Sequence, residues 1–163
     1  KVYLYMKIKN LVFIILFLNS CSNEEVRQEN LRYKEGIAYI IGTADPFTGK
    51  AISQKNGKFI ITFENGLRDG KTERYWTNGR LRLREYYKLG KLDGLHEMFY
   101  ANGQIEMKIN YINDKITNTA EWYHSNGKLS KKSIYEDGKA ISIECFDKLG
   151  TKYEPSKRGL CLN

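Results

Sequence analysis

Tyr75-Trp76-Thr77-Asn78-Gly79-Arg80-Leu81 recurs as Phe99-Tyr100-Ala101-Asn102-Gly103-Gln104-Ile105 and again as Tyr123-His124-Ser125-Asn126-Gly127-Lys128-Leu129. In each copy an Asn-Gly pair follows an aromatic residue and precedes an aliphatic one. A partial copy upstream carries Asn56-Gly57 and Phe59, so the Asn-Gly pairs are spaced by 22, 24 and 24 residues. A degenerate turn at Leu149-Gly150 lies 23 residues beyond the last. Asn-Gly accepts the positive φ angles of a type I′ turn, whose twist matches two antiparallel strands. Self-similarity at this fixed period is the signature of a hairpin repeat.

The match extends outward from the turns. Tyr87, Tyr111 and Tyr135 stand nine residues after the asparagines. Gly90, Asp114 and Gly138 stand twelve after, each followed by lysine, and Gly94 and Asn118 stand sixteen after. Gly66 and Gly70 fill the last two roles in the shorter first unit. Each unit therefore reads as strand, Asn-Gly turn, strand and junction turn. Ile105, Met107, Ile109 and Tyr111 alternate with Glu106, Lys108 and Asn110, the period of a strand with two unlike faces. One hairpin cannot bury its apolar face, so neighbours must stack. The expected fold is all-β: an elongated, twisted antiparallel sheet of tandem β-hairpin repeats over residues 54–141. Residues 33–53 read as an N-terminal capping strand and turn, built on Gly36-Ile37-Ala38-Tyr39-Ile40-Ile41-Gly42 and Asp45-Pro46-Phe47-Thr48-Gly49. Residues 142–163 depart from the repeat and read as a C-terminal capping strand and tail.

Composition agrees with a globular chain. Of 163 residues, 28% are charged and 41% hydrophobic, and 12 Tyr and 14 Gly against 2 Pro suit short strands joined by tight turns. Residues 1–20 read as a signal peptide starting at Met6. Lys7 and Lys9 precede an apolar run from Leu11 to Leu18 that is too short to span a bilayer. Leu18-Asn19-Ser20-Cys21 resembles a bacterial lipobox, in which the Cys21 thiol is diacylated and the chain is cut before it. Residues 21–32, with Ser22-Asn23-Glu24-Glu25, then form a tether. These features place the protein at the bacterial cell envelope, on the outer membrane or cell surface. Formal charge is +8, falling to +5 once Lys1, Lys7 and Lys9 are removed with the leader. That balance suits an acidic partner or anionic surface and falls short of a nucleic-acid binder.

Sites for chemistry are sparse. No nucleophile elbow, phosphate loop or HExxH motif occurs. His96 and His124 read as strand positions rather than metal ligands. Glu73, Glu85, Glu97 and Glu121 are spread over the repeats as on a solvent face. Neither catalysis nor a cofactor or metal is expected. In an oxidising compartment Cys145 and Cys161 can pair and staple the tail, or persist as two free thiols. Arg80, Arg82 and Arg84 alternate with Leu81 and Leu83. If the leucines face the core, the arginines form a row on the open face. Tyr87, Tyr111 and Tyr135 form a ladder that serves as repeat core or, with the arginines, as a partner-binding surface.

The stretch from Tyr39 to Lys50, with its Pro-Phe-Thr-Gly element, precedes tandem aromatic-x-Asn-Gly-x-aliphatic hairpins and Gly-Lys-x-Asp-Gly junctions. Together they resemble the YwqK-type antitoxin family, whose repeats are a bacterial variant of the MORN repeat. The likeness covers about residues 33–140; Thr117-Asn118 stands where the pattern has Asp-Gly. It implies a hairpin array and the antitoxin role of a toxin–antitoxin pair. The expected function is a non-catalytic, lipid-anchored repeat protein that binds a protein partner, such as a toxin, at the envelope. The alternative is a surface scaffold contacting anionic phospholipid headgroups or glycans.

Overall fold

The structure is a computed structural model that describes residues 24–55 and 57–162. The leader, the lipobox with Cys21, and Asn56 lie outside the described residues. Fourteen strands follow one another: β1 (Glu25–Arg27), β2 (Leu31–Lys34), β3 (Ile37–Ile40), β4 (Gly49–Ser53), β5 (Phe59–Glu64), β6 (Leu67–Tyr75), β7 (Leu81–Lys88), β8 (Lys91–Leu92), β9 (Gly94–Phe99), β10 (Ile105–Ile112), β11 (Lys115–Tyr123), β12 (Leu129–Glu136), β13 (Lys139–Phe146) and β14 (Lys152–Tyr153). All but β2 and β3 join one sheet in the order β1-β4-β5-β6-β7-β9-β10-β11-β12-β13-β14, with β8 also on β7. The meander from β4 onward is antiparallel, as the repeat requires. The sheet as a whole is mixed, because β1 pairs with β4 in parallel. Residues 25–32 are therefore not a free tether. Val26 is in register with Ala51, and Leu31 is buried in the core.

The turns differ from the expected geometry in an informative way. Gly79, Gly103 and Gly127 have φ of 82°, 91° and 84°, whereas Asn78, Asn102 and Asn126 keep negative φ. The Gly79 N–H donates to the Trp76 carbonyl and the Trp76 N–H to the Arg80 carbonyl, closing a three-residue loop with glycine in the left-handed bulge position. The asparagine is selected for its side chain. Its Oδ1 accepts the N–H two residues on, at 3.0 Å in all three loops. Its Nδ2 donates to a carbonyl of the next loop along the rim: Ala101, Ser125 and Lys148. The type I′ turns lie on the opposite rim, at the junctions. Asn65-Gly66, Leu89-Gly90, Asn113-Asp114 and Asp137-Gly138 all have positive φ at both positions.

Gly70, Gly94 and Asn118, at φ of 90°, 126° and 59°, bend the strands inside each unit. Each is paired across the sheet with a repeat tyrosine: Tyr87, Tyr111 and Tyr135 respectively.

The core sits at the N-terminal end. The β2–β3 ribbon and the loop carrying Phe47 cover one face of β4 and β5, burying Leu31, Ala38, Phe47, Ala51, Ile61 and Phe63. Beyond β6 the sheet is a single layer in which each strand packs chiefly on its neighbours. At the far end Cys145 is bonded to Cys161, with Cα atoms 5.5 Å apart. Gly159 lies so close over Ile143 that an added Cβ would come within 2.9 Å of its Cδ1, which places the tail on the face that carries Ile143 and Cys145.

Among the described residues Leu89 is the one aliphatic residue at left-handed φ (48°), and it is 67% exposed, so its side chain contributes little burial. A branched residue there costs about 1 kcal/mol relative to asparagine, the residue at the equivalent positions 65 and 113. Leu89→Asn should therefore raise unfolding free energy by about that amount in a urea titration.

Candidate functional site

The two faces of the single-layer region carry different chemistry. On one, the register aligns Glu73, Arg84, Glu97, Lys108, Glu121, Lys132 and Glu144 across seven successive strands. Every neighbour in this row has the opposite charge, which favours the observed register and disfavours a slipped one. Arg84 lies 3.2 Å from Glu73 and 3.5 Å from Glu97, and Lys152 closes the row on Glu144. Lys71 adds a second cation 3.1 Å from Glu73.

Glu73 and Glu97 are thus not solvent carboxylates; their side chains are 9% and 12% exposed. Burial opposes ionisation of Glu73, but Lys71, Arg84 and the Tyr75 hydroxyl outweigh it and hold its pKa below the ordinary value. Tyr123 shows the converse. Burial, and then its 2.6 Å hydrogen bond to Glu121, push its pKa up to about 12. The expected arginine row does not form a free surface. Arg84 is held between two carboxylates, Arg82 lies 4.3 Å over the Trp76 ring, and Arg80 donates to the Ala101 carbonyl.

The other face is the one whose beginning is buried by β2–β3. Its register runs Phe59, Arg74, Leu83, Met98, Met107, Trp122, Lys131, Cys145. Leu83, Met98, Met107 and Trp122 make a half-exposed apolar strip crossing four strands. A cation ends it on each side, Arg74 over the Phe59 ring and Lys131 over the Trp122 ring. The neighbouring row contains Ile61, Thr72, Glu85, His96, Ile109, Ala120 and Ser133, several of them small and buried, so the larger side chains flanking them close over the sheet. The Thr72 and Ser133 hydroxyls are buried without hydrogen-bond partners among the described residues. Tyr87 and Tyr111 border this row, and they mark one titratable cluster. Burial opposes ionisation of Glu85, yet His96, the Tyr87 hydroxyl and Arg68 hold its pKa below the ordinary value. His96 Nδ1 lies 3.0 Å from Glu85 Oε1.

The two histidines sit in unlike surroundings: His124 Nε2 meets the Phe146 carbonyl at 2.9 Å, in the loop rim. Among the described residues no group of three or more metal-ligating side chains converges.

The face is therefore covered at both ends, by β2–β3 and by the disulfide-tied tail, and open between. The open stretch spans β7 and β9–β12, about 24 Å at the usual strand spacing. Residue-by-residue reading of the sequence missed this strip because its members come from alternate repeat positions. Arg74, Met98 and Trp122 share one position of the unit, and Leu83, Met107 and Lys131 another, each at a 24-residue period. The charged row carries the same signal, Glu73, Glu97 and Glu121 at one position and Arg84, Lys108 and Lys132 at the other.

Residues 68–89, 92–113 and 117–137 match the MORN repeat variant. Each matched segment runs from just past one junction to the first residue of the next junction turn, so the matched unit is strand, Asn-Gly loop and strand. No curated protein matches the chain.

Because the folded state depresses the Glu73 and Glu85 pKa values, their contribution to stability is present above the unfolded value near 4.5 and is lost as pH falls through the lower folded value. Glu73→Gln should cost about 1–2 kcal/mol at neutral pH, since Arg84 is one-third exposed and stays partly hydrated. The deficit should shrink in strong acid. Thermal unfolding of both proteins between neutral pH and about pH 3 measures it.

Proposed function

We propose that this is a non-catalytic repeat protein that captures a protein partner on the open stretch of its sheet while a lipid on Cys21 holds it at the bacterial envelope. The observation that carries the reading is the half-buried strip Leu83, Met98, Met107 and Trp122, on a face whose two ends are covered by the chain's own segments. Methionine and tryptophan adapt to and anchor protein interfaces. Arg74 and Lys131 at its ends favour acidic groups beside an apolar centre. The resemblance to YwqK-type antitoxins supports a toxin as the partner and an immunity-like, neutralising role. The lipobox supports an envelope setting for it, with Cys145–Cys161 formed in an oxidising compartment.

Two measurements test this. Metabolic labelling with a fatty acid should mark the full chain in bacteria, and Cys21→Ser should abolish the label; a labelled variant refutes anchoring at Cys21. Met98→Glu and Trp122→Ala should each reduce capture of the product of an adjacent toxin-like gene by tenfold or more, with circular dichroism unchanged. Undiminished capture by both variants would overturn the assignment of the face. Salt-sensitive binding to anionic vesicles, without any protein captured, would point to the scaffold alternative.

A further inference from the structure

The junction rim contains a second, independent site. A two-residue I′ turn leaves the N–H groups of both its central residues outside the hairpin ladder. At three junctions the preceding unit supplies both acceptors. Asn65 N–H donates to Thr48 Oγ1 (2.9 Å) and Gly66 N–H to the Phe47 carbonyl (2.8 Å). Leu89 N–H donates to Asp69 Oδ2 (3.0 Å) and Gly90 N–H to the Arg68 carbonyl (2.8 Å). Asn113 N–H donates to Asp93 Oδ2 (3.3 Å) and Asp114 N–H to the Leu92 carbonyl (2.9 Å). The acceptors thus always come as a short segment: a carbonyl, then a Thr or Asp side-chain oxygen, then glycine. Phe47-Thr48-Gly49, Arg68-Asp69-Gly70 and Leu92-Asp93-Gly94 are the three instances.

The fourth junction breaks the pattern. Ile116-Thr117-Asn118 stands in the supplying position, and neither Asp137 N–H nor Gly138 N–H makes a hydrogen bond among the described residues. In place of the staple a groove of about 600 Å³ separates the two elements. Ile112, Ile116 and Tyr135 line it on the apolar side, and Ile112 is 54% exposed. Its charged lining is Lys115 against Glu136 and Asp137, a net negative balance that disfavours an incoming carboxylate.

We propose that this groove binds an extended peptide segment of the form apolar–Thr/Ser–Gly from a partner protein. The segment's carbonyl accepts from Gly138 N–H, its hydroxyl accepts from Asp137 N–H, and its apolar side chain covers Ile112 and Tyr135. Phe47-Thr48-Gly49 performs this docking within the chain, on the turn at Asn65-Gly66. It cannot serve a second copy, since Phe47 is buried in the core. The site stands apart from the open strip, and its test does not depend on that surface.

The probe is the peptide acetyl-Pro-Phe-Thr-Gly-amide, titrated into the full chain labelled with ¹⁵N. The amide resonances of Asp137 and Gly138 should shift, while those of Asn65, Gly66, Leu89 and Gly90, on turns away from the groove, stay in place. A peptide with Ala in place of Thr should bind about three- to tenfold more weakly, the worth of one hydrogen bond. Asn118→Gly, which completes the carbonyl–Thr–Gly segment that staples the first junction, should let Ile116-Thr117 occupy the turn amides and abolish the shifts. Unmoved Asp137 and Gly138 resonances, equal binding of the two peptides, or undiminished binding to the Asn118→Gly variant would each overturn the proposal.

Discussion

Hydrogen bonds between turns two strands apart hold this molecule in shape. A sheet one layer thick has no opposing layer to set its twist, and between β6 and β13 the described chain provides none. The rims supply what a second layer would. Along the loop rim, asparagine amides reach from each loop to the next, and Trp76, Tyr100 and His124 bond in parallel to Phe99, Tyr123 and Phe146 carbonyls. Along the junction rim, carbonyls and carboxylates of one unit satisfy turn amides of the next. Up to the third junction each unit is thus fastened to its successor at both ends of its strands; at the fourth only the loop rim holds. The array depends on neighbour-to-neighbour terms rather than on one central core.

The faces divide the remaining work. Alternating charge on one side makes a one-step slip of register unfavourable at many sites at once, a form of specificity that costs little when side chains remain partly hydrated. The opposite side begins as a conventional hydrophobic core under β2–β3 and continues as a half-buried apolar strip once that ribbon ends. A continuous face that is covered by the chain at one end and uncovered at its centre is the surface on which another molecule can continue the same packing.

The hairpin array was legible in the sequence because its signals are local. Asn-Gly pairs, tyrosines and junction glycines repeat at fixed intervals, and each has a direct conformational meaning. The kind of turn was not legible. Asn-Gly suits a I′ turn, and Asn65-Gly66 forms one, yet at Asn78, Asn102 and Asn126 the loop has three residues and the asparagine serves through its amide, while I′ geometry also appears at pairs such as Leu89-Gly90 that carry no such signal. The arginine row failed for another reason. Alternation along β7 tells which residues share a face, but only the pairing of β6, β7 and β9 reveals that Arg84 lies between two glutamates. Residues 25–32 looked like a polar linker because the apolar residues that hold them, Val26 and Leu31, are isolated among charged ones.

The alternating charged row has one more implication, for how such a chain can change in length. Adding or deleting one complete unit brings in one acid and one base together, and every contact across the insertion point remains between opposites. Adding a single strand would set like against like at that point and would also exchange the two rims. The array can therefore grow or shrink only in steps of two strands, and its ancestry should be written in whole hairpins.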